Sequence, residues 1–510
     1  MKAFLMFRDH DFNPQEPLPV NASDLVHDLE INTLLNAMSL SDGFLFDIVK
    51  EAILTSIDDM DSILYRQEIM KDCLNNPAVI REIYQIPIKS KDREHRRWLG
   101  IFTHSPSGVL SSSVSLMEMF IVLLKDLKKI ADDHSNEFKS EGFVRFFSMI
   151  KSELDDEYFA SVEYHLKQLK FREGVLISAE LGKGNEGANY ALRLPNGKNK
   201  NWFKEVFSKR SPVYSFTISE RDDAGARALG DLKDIGENAA ANALAQATEH
   251  IENFLNMLRN ELAFYIGCIN LKEQLGQTGN PIAFPIPVSM NERQHSFQGM
   301  YDVSLALTMK QEIVGNEFNA DNKNLVIITG ANQGGKSTFL RSIGLAQLMM
   351  QAGMFVPARE FSANLCQEVF THYRRKEDAS MKSGKLDEEL SRMSIIVDQI
   401  KPDSLMLFNE SFAATNEREG SEIARQITSA LLERNVKVFF VTHMYEFARI
   451  FYEKRMKDAI FLRAERKAGG KRTFKLLEGD PLPTSYGEDV FKTVFGKNNE
   501  VFSKSEDSKR

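Results

Sequence analysis

The sequence predicts an α/β fold built on a mostly parallel sheet in the C-terminal part of the chain, joined to a largely α-helical region with a small β-rich insert. Three observations predict it. From about residue 285 to 495, short continuously apolar runs alternate with helical patterns, as buried parallel strands and their crossover helices do. A Gly-rich motif sits between one of these runs and a helix. Upstream, long stretches place apolar residues at helical spacing.

The first 95 residues read as mixed and mostly helical. DLVHDLEINTLLNAM sets Leu25, Leu29, Leu34, Leu35 and Met38 near one helical face, and IDDMDSILYRQEIMKDCLNNPAVIREIY is amphipathic with a break at Pro77. Between about 109 and 170 the helices lengthen. VSLMEMFIVLLKDLKKIADD is apolar at Val114, Met117, Phe120, Ile121 and Leu124, and FVRFFSMIKSELDDEYFASVEYHLKQLKF continues the pattern. The period changes near 174, where VLISAEL, NYALRL and VYSFTIS read as strands. Between the last two lies PNGKNKNWFKEVFSKRSP, with Lys198, Lys200, Lys204, Lys209 and Arg210 against one Glu, and with Trp202, Phe203 and Phe207 interleaved. That mixture suits phosphate contact and base stacking. A long helix returns at about 222, and Pro281, Pro285 and Pro287 mark the next boundary. Beyond it NLVIIT, SLMLF, VKVFFVT and AIFLR read as strands, and NNEVFSKSEDSKR as a polar tail. The expected division is a helical core start at 1–108, long helices with the insert (about 174–221) at 109–280, the α/β domain at 281–496 and a tail at 497–510.

Composition bounds the rest. At roughly 150 residues per domain, 510 residues make about three domains. The 43% hydrophobic and 27% charged content excludes collagen-like and wholly disordered chains. The 64 Lys+Arg against 72 Asp+Glu give −8, which excludes a broad basic surface and confines any DNA contact to a local patch. Cys73, Cys268 and Cys366 lie far apart, in no metal-ligand spacing, as inert thiols of a reducing compartment do. Arg8 and Asp9 interrupt the N-terminal apolar run before it makes a signal. Leu116–Leu124 and Ile343–Val356 read as too short or too polar to span a bilayer. A cytoplasmic protein with no membrane partner is expected.

One motif carries the chemistry. NLVIIT is followed by Gly330-Ala-Asn-Gln-Gly334-Gly335-Lys336-Ser337-Thr338 and then by a helical run. This satisfies G-x-x-x-x-G-K-[ST] with the strand before and the helix after that an α/β P-loop NTPase requires. The loop's N–H groups and the helix N-terminus cradle phosphates, Lys336 reaches the β/γ-phosphates and Ser337 can ligate Mg²⁺. SLMLF runs into Asn409-Glu410. An Asp that helps hold Mg²⁺ usually stands first in such a pair; the amide oxygen of Asn409 can still hold metal or water, without the charge. Glu410 is placed to act as the base toward water. VKVFFVT ends before His443, where an imidazole could sense the γ-phosphate or orient water.

At these residues the sequence resembles the MutS family, ABC-type ATPases of DNA mismatch repair. TGANQGGKSTFLRSIGLAQLMMQAGMFVPA is similar to that family's extended phosphate loop TG-x-N-x-GGKST, FFVTHMYEFAR to its strand-plus-His switch, and SYGEDVFKTVFG to its closing segment. LDEELSRM follows Ser383-Gly384 at the place of the family's signature loop, which reaches a partner's nucleotide in trans. DLEINTLL and YRQEIMKDCL resemble the start of its core domain, and the long helices its levers. The resemblance implies that Gly330, Asn332, Gly334, Gly335, Lys336, Ser337 and Thr338 bind ATP phosphates, that Glu410 and His443 are catalytic, and that sites are composite in a homodimer. The 174–221 insert takes the place of the DNA clamp.

The departures are specific. The resemblance implies a chain that begins at the family's core domain, without its mismatch-recognition and connector domains and with no counterpart of the Phe-x-Glu element that wedges into mismatches. Asn409 replaces the usual Asp, and Lys385-Leu386-Asp387 replaces a small or hydroxyl run. The expectation is an ATPase that uses ATP and Mg²⁺, turns over slowly, and acts on branched or recombining DNA rather than on mismatches. The alternative is an ATP-gated switch for protein partners with no direct DNA role.

Overall fold

The computed structural model describes residues 1–98, 105–172, 174–193, 214–331, 333–375, 384–467 and 472–482. The basic patch at 198–210 and the closing segment at 485–496 lie outside them. Two compact units form: one from Met1–Phe4 with Ala78–Leu262, the other from Leu5–Pro77 with the chain from Ala263 onward. Compactness thus follows the chain discontinuously, and most of the helical start folds with the α/β elements.

The first unit is mainly helical. It holds nearly all of α5 (Pro77–Trp98), together with α6 (Pro106–His134), α7 (Glu141–Glu153) and α8 (Asp156–Leu169). Each of the last three begins on a side-chain cap: Ser105 accepts from Gly108 N–H at 3.2 Å, Ser140 from Phe143 at 3.4 Å and Asp155 from Tyr158 at 2.7 Å. The stretch expected to be too short for a membrane belongs to the 29-residue α6, which by length and apolar composition could cross one. Its apolar stripe, including Met117, Phe120, Leu124 and Leu127, is instead buried, and α7 and α8 pack on this helix. The ring cluster Phe138, Phe143, Phe146 and Phe147 belongs to the same core.

Two of the three strands expected in the insert are present, β1 (Leu176–Leu181) and β2 (Gly187–Arg193), paired antiparallel. Residues 214–219 of the third run form no strand, and Tyr214 and Phe216 are exposed. Without a partner strand their alternation has no sheet to join. β1 packs on α9 (Asp223–Gln277), where Ile177 lies so close to Gly236 that a Cβ there would stand 2.5 Å from its Cδ1. The residues of α9 from Ala263 on belong to the second unit.

That unit opens with α1 (Ala22–Asp28), α2 (Ile31–Ser39), α3 (Gly43–Leu54) and α4 (Met60–Asn75). Its centre is a six-stranded sheet ordered β12-β11-β6-β10-β9-β8. These strands are β6 (Leu325–Thr329), β8 (Val369–Tyr373), β9 (Leu405–Asn409), β10 (Lys437–Val441), β11 (Ala459–Arg466) and β12 (Arg472–Glu478). All neighbours run parallel except β11 and β12. The four runs read as strands are β6, β9, β10 and β11. A second sheet, β3-β7-β4-β5, comprises β3 (Ile286–Val288), β4 (His295–Met300), β5 (Asn316–Asn319) and β7 (Glu360–Asn364).

Alternation divides the six-stranded sheet into two apolar faces. Ile327, Met406, Phe408, Val438 and Phe440 enter one core with residues of α12 (Lys385–Gln399), α13 (Glu417–Glu433) and α14 (Tyr445–Glu453). α11 (Lys336–Gln351) packs on β8, β9 and β10. At Gly344 of this helix a Cβ would lie 2.8 Å from methyl groups of both Leu29 and Leu407, so a side chain there would push both leucines aside. α10 (Val303–Met309) packs beside α2. The parallel register aligns Ile328, Tyr373, Asn409 and Val441 at the carboxyl ends of their strands. In open α/β sheets the carboxyl ends of the strands are where ligands bind.

Candidate nucleotide-binding site

The turn from β6 into α11 requires left-handed backbone. Gly330 has φ 111°, Gln333 φ 60° and Gly335 φ 91°; a Cβ residue pays strain at such angles that glycine does not. Gly334 is glycine for space, since a Cβ there would stand 2.6 Å from that of Ala464 in β11. Gly335 caps α11 without any side-chain hydrogen bond, so the first-turn N–H groups remain available to an anion. Asn332 lies outside the described residues.

Lys336 is buried at the helix start. Its Nζ donates to the carbonyls of Gly330 and Ala331 at 3.1 Å each and stands 3.4 Å from His443 Nε2. Burial pulls the pKa of this ammonium down, and the Glu410 carboxylate opposes that pull. Ser337 Oγ donates to Asn409 Oδ1 at 2.9 Å. Hydroxyl and amide oxygens in contact are hard donors of the kind Mg²⁺ accepts beside phosphate oxygens, so this donor set fits the ion. Among the described residues no three His, Cys, Asp or Glu groups cluster as a metal site, and the phosphates would have to complete the shell.

Glu410 follows β9 with φ 55°, and its N–H donates to Val441 O at 2.9 Å, which ties the turn to β10. Its Oε1 lies 3.0 Å from His443 Nε2. The acid and the imidazole expected to act on water are therefore paired with each other. Two residues on, Phe412 also has positive φ (62°), and its N–H donates to the buried Glu389 Oε2 at 2.8 Å. Burial raises the Glu389 carboxyl above its ordinary range. His372 of β8 closes this layer. Its Nε2–H donates to Glu389 O at 2.9 Å, and its Nδ1 lies 2.8 Å from Ser411 Oγ, whose hydroxyl donates to the His372 carbonyl at 2.5 Å. Burial pushes its pKa down to about 3, so the imidazole is neutral at ordinary pH. A left-handed turn that carries a carboxylate is thus anchored from β10 on one side and from α12 on the other.

A cavity of about 470 Å³ opens at this edge, lined by Gln333, Gly334, Gly335, Lys336, Ser337, Thr338, Glu410, His443 and Arg374. It joins residues from four separate stretches of chain. Gly330 supplies a carbonyl to Lys336 just beneath. Gly384 caps α12 with open space around it and does not line the cavity, and Ser383 lies outside the described residues, as do Lys198, Lys200, Lys204, Lys209 and Arg210. The three cysteines are buried free thiols.

Gln333, Arg472 and Arg374 also take part at this end of the sheet, although no motif marks them. Gln333 accepts from Arg472 Nη1 at 2.5 Å, which ties the β11–β12 hairpin to the loop. Arg374 stands one residue past β8, with its N–H bonded to Asn409 O at 2.9 Å. Reading VFTHY as a strand would have placed it at the same sheet edge.

The chain matches the MutS2 N-terminal domain family over residues 58–278 and the MutS domain V family over residues 326–509. It is 33% identical over 212 residues to the DNA mismatch repair protein MutS of Thermotoga sp. (strain RQ2), which covers 40% of this chain and 26% of the relative. It is 31% identical over 268 residues to MutS protein homolog 4 of Homo sapiens, 51% of this chain and 27% of that one. With the MutS of Leptospira interrogans it shares 24% over 326 residues, 59% and 38% of the two chains. The chain spans between about a quarter and two fifths of the length of these curated relatives. Matches over both the helical stretch and the phosphate-loop stretch, on a sheet whose strand ends carry the loop, place the chain in the MutS family.

Proposed function

We propose that the chain is an ABC-type ATPase that binds ATP with Mg²⁺ at the phosphate loop, hydrolyses it slowly, and uses the cycle to act on DNA as a dimer. The observation that carries this reading is the convergence of the loop, the Ser337–Asn409 pair and the Glu410–His443 pair on one cavity. In this reading the loop N–H groups and Lys336 hold the phosphates, and Glu410 takes a proton from water as it attacks in line. His443 holds that carboxylate in position. Mg²⁺ bound by Ser337 and Asn409 would neutralise phosphate charge, and the uncharged amide supports slow turnover.

The wider organisation belongs to the same proposal: helical core and lever segments at 1–108 and 109–280, an ATPase segment at 281–496, composite sites completed by Ser383-Gly384 of a second copy, and cytoplasmic residence. Two of these relatives are DNA mismatch repair proteins. Their names support DNA as the target, with Lys198, Lys200, Lys204, Lys209 and Arg210 as its contacts.

ATP turnover by Glu410→Gln tests the chemistry. Hydrolysis should fall by ~10²-fold or more, the usual weight of a general base, while ATP still binds; unchanged hydrolysis would refute the assignment. Binding to duplex, branched and mismatched DNA over a salt series tests the target. Branched DNA should bind tightest, and neutralising the five basic residues should weaken binding and flatten its salt dependence. No binding to any of the three at low salt would leave the protein-partner switch as the better reading.

A further inference from the structure

We infer that Arg374 is the residue by which this site tells a nucleoside triphosphate from a diphosphate, an inference that rests on the nucleotide reading of the phosphate loop. Its placement is set by backbone. Tyr373 ends β8 in register with Asn409, and the Arg374 N–H is bonded to Asn409 O at 2.9 Å. The residue after β8 is therefore clamped beside the residue before Glu410. The loop and helix N-terminus mark where the inner phosphates of a nucleotide bind, and Glu410 with His443 marks the side where the terminal bond breaks. Arg374 lines the cavity on that second side.

Its side chain is also uncommitted. Among the described residues Arg374 makes a backbone hydrogen bond but no side-chain hydrogen bond or ion pair, whereas Arg375 is ion-paired to Asp24. One of two adjacent arginines is tied into the fold and the other is exposed at the cavity wall. Charge favours the same role. The lining carries Lys336 and Arg374 against Glu410, and Asn409 adds no negative charge where an acid is usual. A terminal phosphate presents pairs of acceptor oxygens that the planar guanidinium binds in a bidentate way. Lys336 is already bonded to the loop carbonyls and lies beside His443, so Arg374 is the second lining cation that can meet the added charge of a triphosphate.

The test uses the full chain and two variants, Arg374→Ala and Arg374→Lys, with Mg²⁺-ADP and a non-hydrolysable ATP analogue measured by equilibrium binding. Charge-assisted bonds of this kind are worth roughly 10- to 100-fold in affinity. Arg374→Ala should lose about that much for the ATP analogue and stay within about twofold for ADP, and Arg374→Lys should recover part of the loss. Equal losses for both nucleotides, or none, with the parent chain binding both, overturn the assignment of Arg374 alone. A parent chain that binds neither nucleotide overturns the underlying nucleotide reading, and this inference with it. Melting temperature of each variant checks the fold, which an exposed side chain should leave unchanged.

Discussion

Both ends of the six-stranded sheet hold polar side chains and use them differently. At the amino ends of the strands, Lys437 is buried with Nζ bonded to Asn364 Oδ1 at 2.7 Å, beside His295, Cys366 and Ser404. Burial there pushes Lys437 down to about 7, holds His295 well below its ordinary value and lifts Cys366 to about 12. At the carboxyl ends, Ser337, Asn409, Glu410 and His443 pair across distant stretches of chain on an open cavity, and Glu410 and Phe412 sit at positive φ. Displaced ionisation by itself therefore records burial. The site is distinguished by convergence of separate segments, by left-handed backbone, and by its place at the strand ends.

The sheet between the two ends is common to both, and cutting it should harm both at once. Phe408 is fully buried and stacks on Phe440 at 4.7 Å between ring centroids. Phe408→Ala should cost about 3–5 kcal/mol in urea unfolding and lower nucleotide binding in parallel. A loss confined to one property would mean that the ends are supported separately. Next in size, Lys336→Ala should reduce nucleotide affinity by ~100-fold or more, since it removes the buried ammonium that faces the phosphates, while urea unfolding shifts little. Unimpaired binding would refute the phosphate-loop reading.

Much of this contrast was legible in the residues, and the exceptions have physical causes. NLVIIT, SLMLF, VKVFFVT and AIFLR could be read because both faces of a central parallel strand are buried, which leaves unbroken apolar runs. VFTHY hid because Thr371 and His372 interrupt its run, although both are buried; the polarity of His372 is met by hydrogen bonds rather than by exposure. EFSAN and NEFN, the strands β7 and β5, hid because they pair in a small sheet with half-buried polar positions. Lys336, Ser337, Glu410 and His443 could be named from spacing. Their pairing could not, because it depends on strand register. Glu389 was legible only as part of LDEELSRM and carries no local sign that it reaches Phe412.

That last contact yields a smaller prediction. Glu389→Ala leaves the Phe412 N–H without its acceptor, which costs about 1–3 kcal/mol, and loosens the turn that holds Glu410. Turnover should fall about tenfold, equivalent to roughly 1.4 kcal/mol in barrier, with nucleotide affinity within about twofold. Glu389→Gln keeps an acceptor oxygen and should retain most of the activity. Equal activity in both variants and the parent would show that the turn is held by the Glu410–Val441 bond alone.

The last effect sits at the other end and shows itself only in pH dependence. Lys437 has its folded pKa lowered from 10.5 to about 7, by burial first and then by Arg293, with Cys366 and Asp321 opposing. Between those values the unfolded chain binds more protons than the folded one, so stability should rise with pH, by on the order of 1 kcal/mol per unit. It is fully present above 10.5 and lost as pH falls to about 7. Cys366 acts in the opposite direction, because a thiol raised from 9.0 to about 12 makes stability fall with pH above 9. His295, lowered from 6.5, affects only more acid conditions. The window that isolates Lys437 is therefore about 7 to 9. In Lys437→Met the rise across that window should disappear while nucleotide affinity stays within about twofold. A rise that persists would assign it to other groups, and a loss of affinity would show that the two ends of the sheet are coupled.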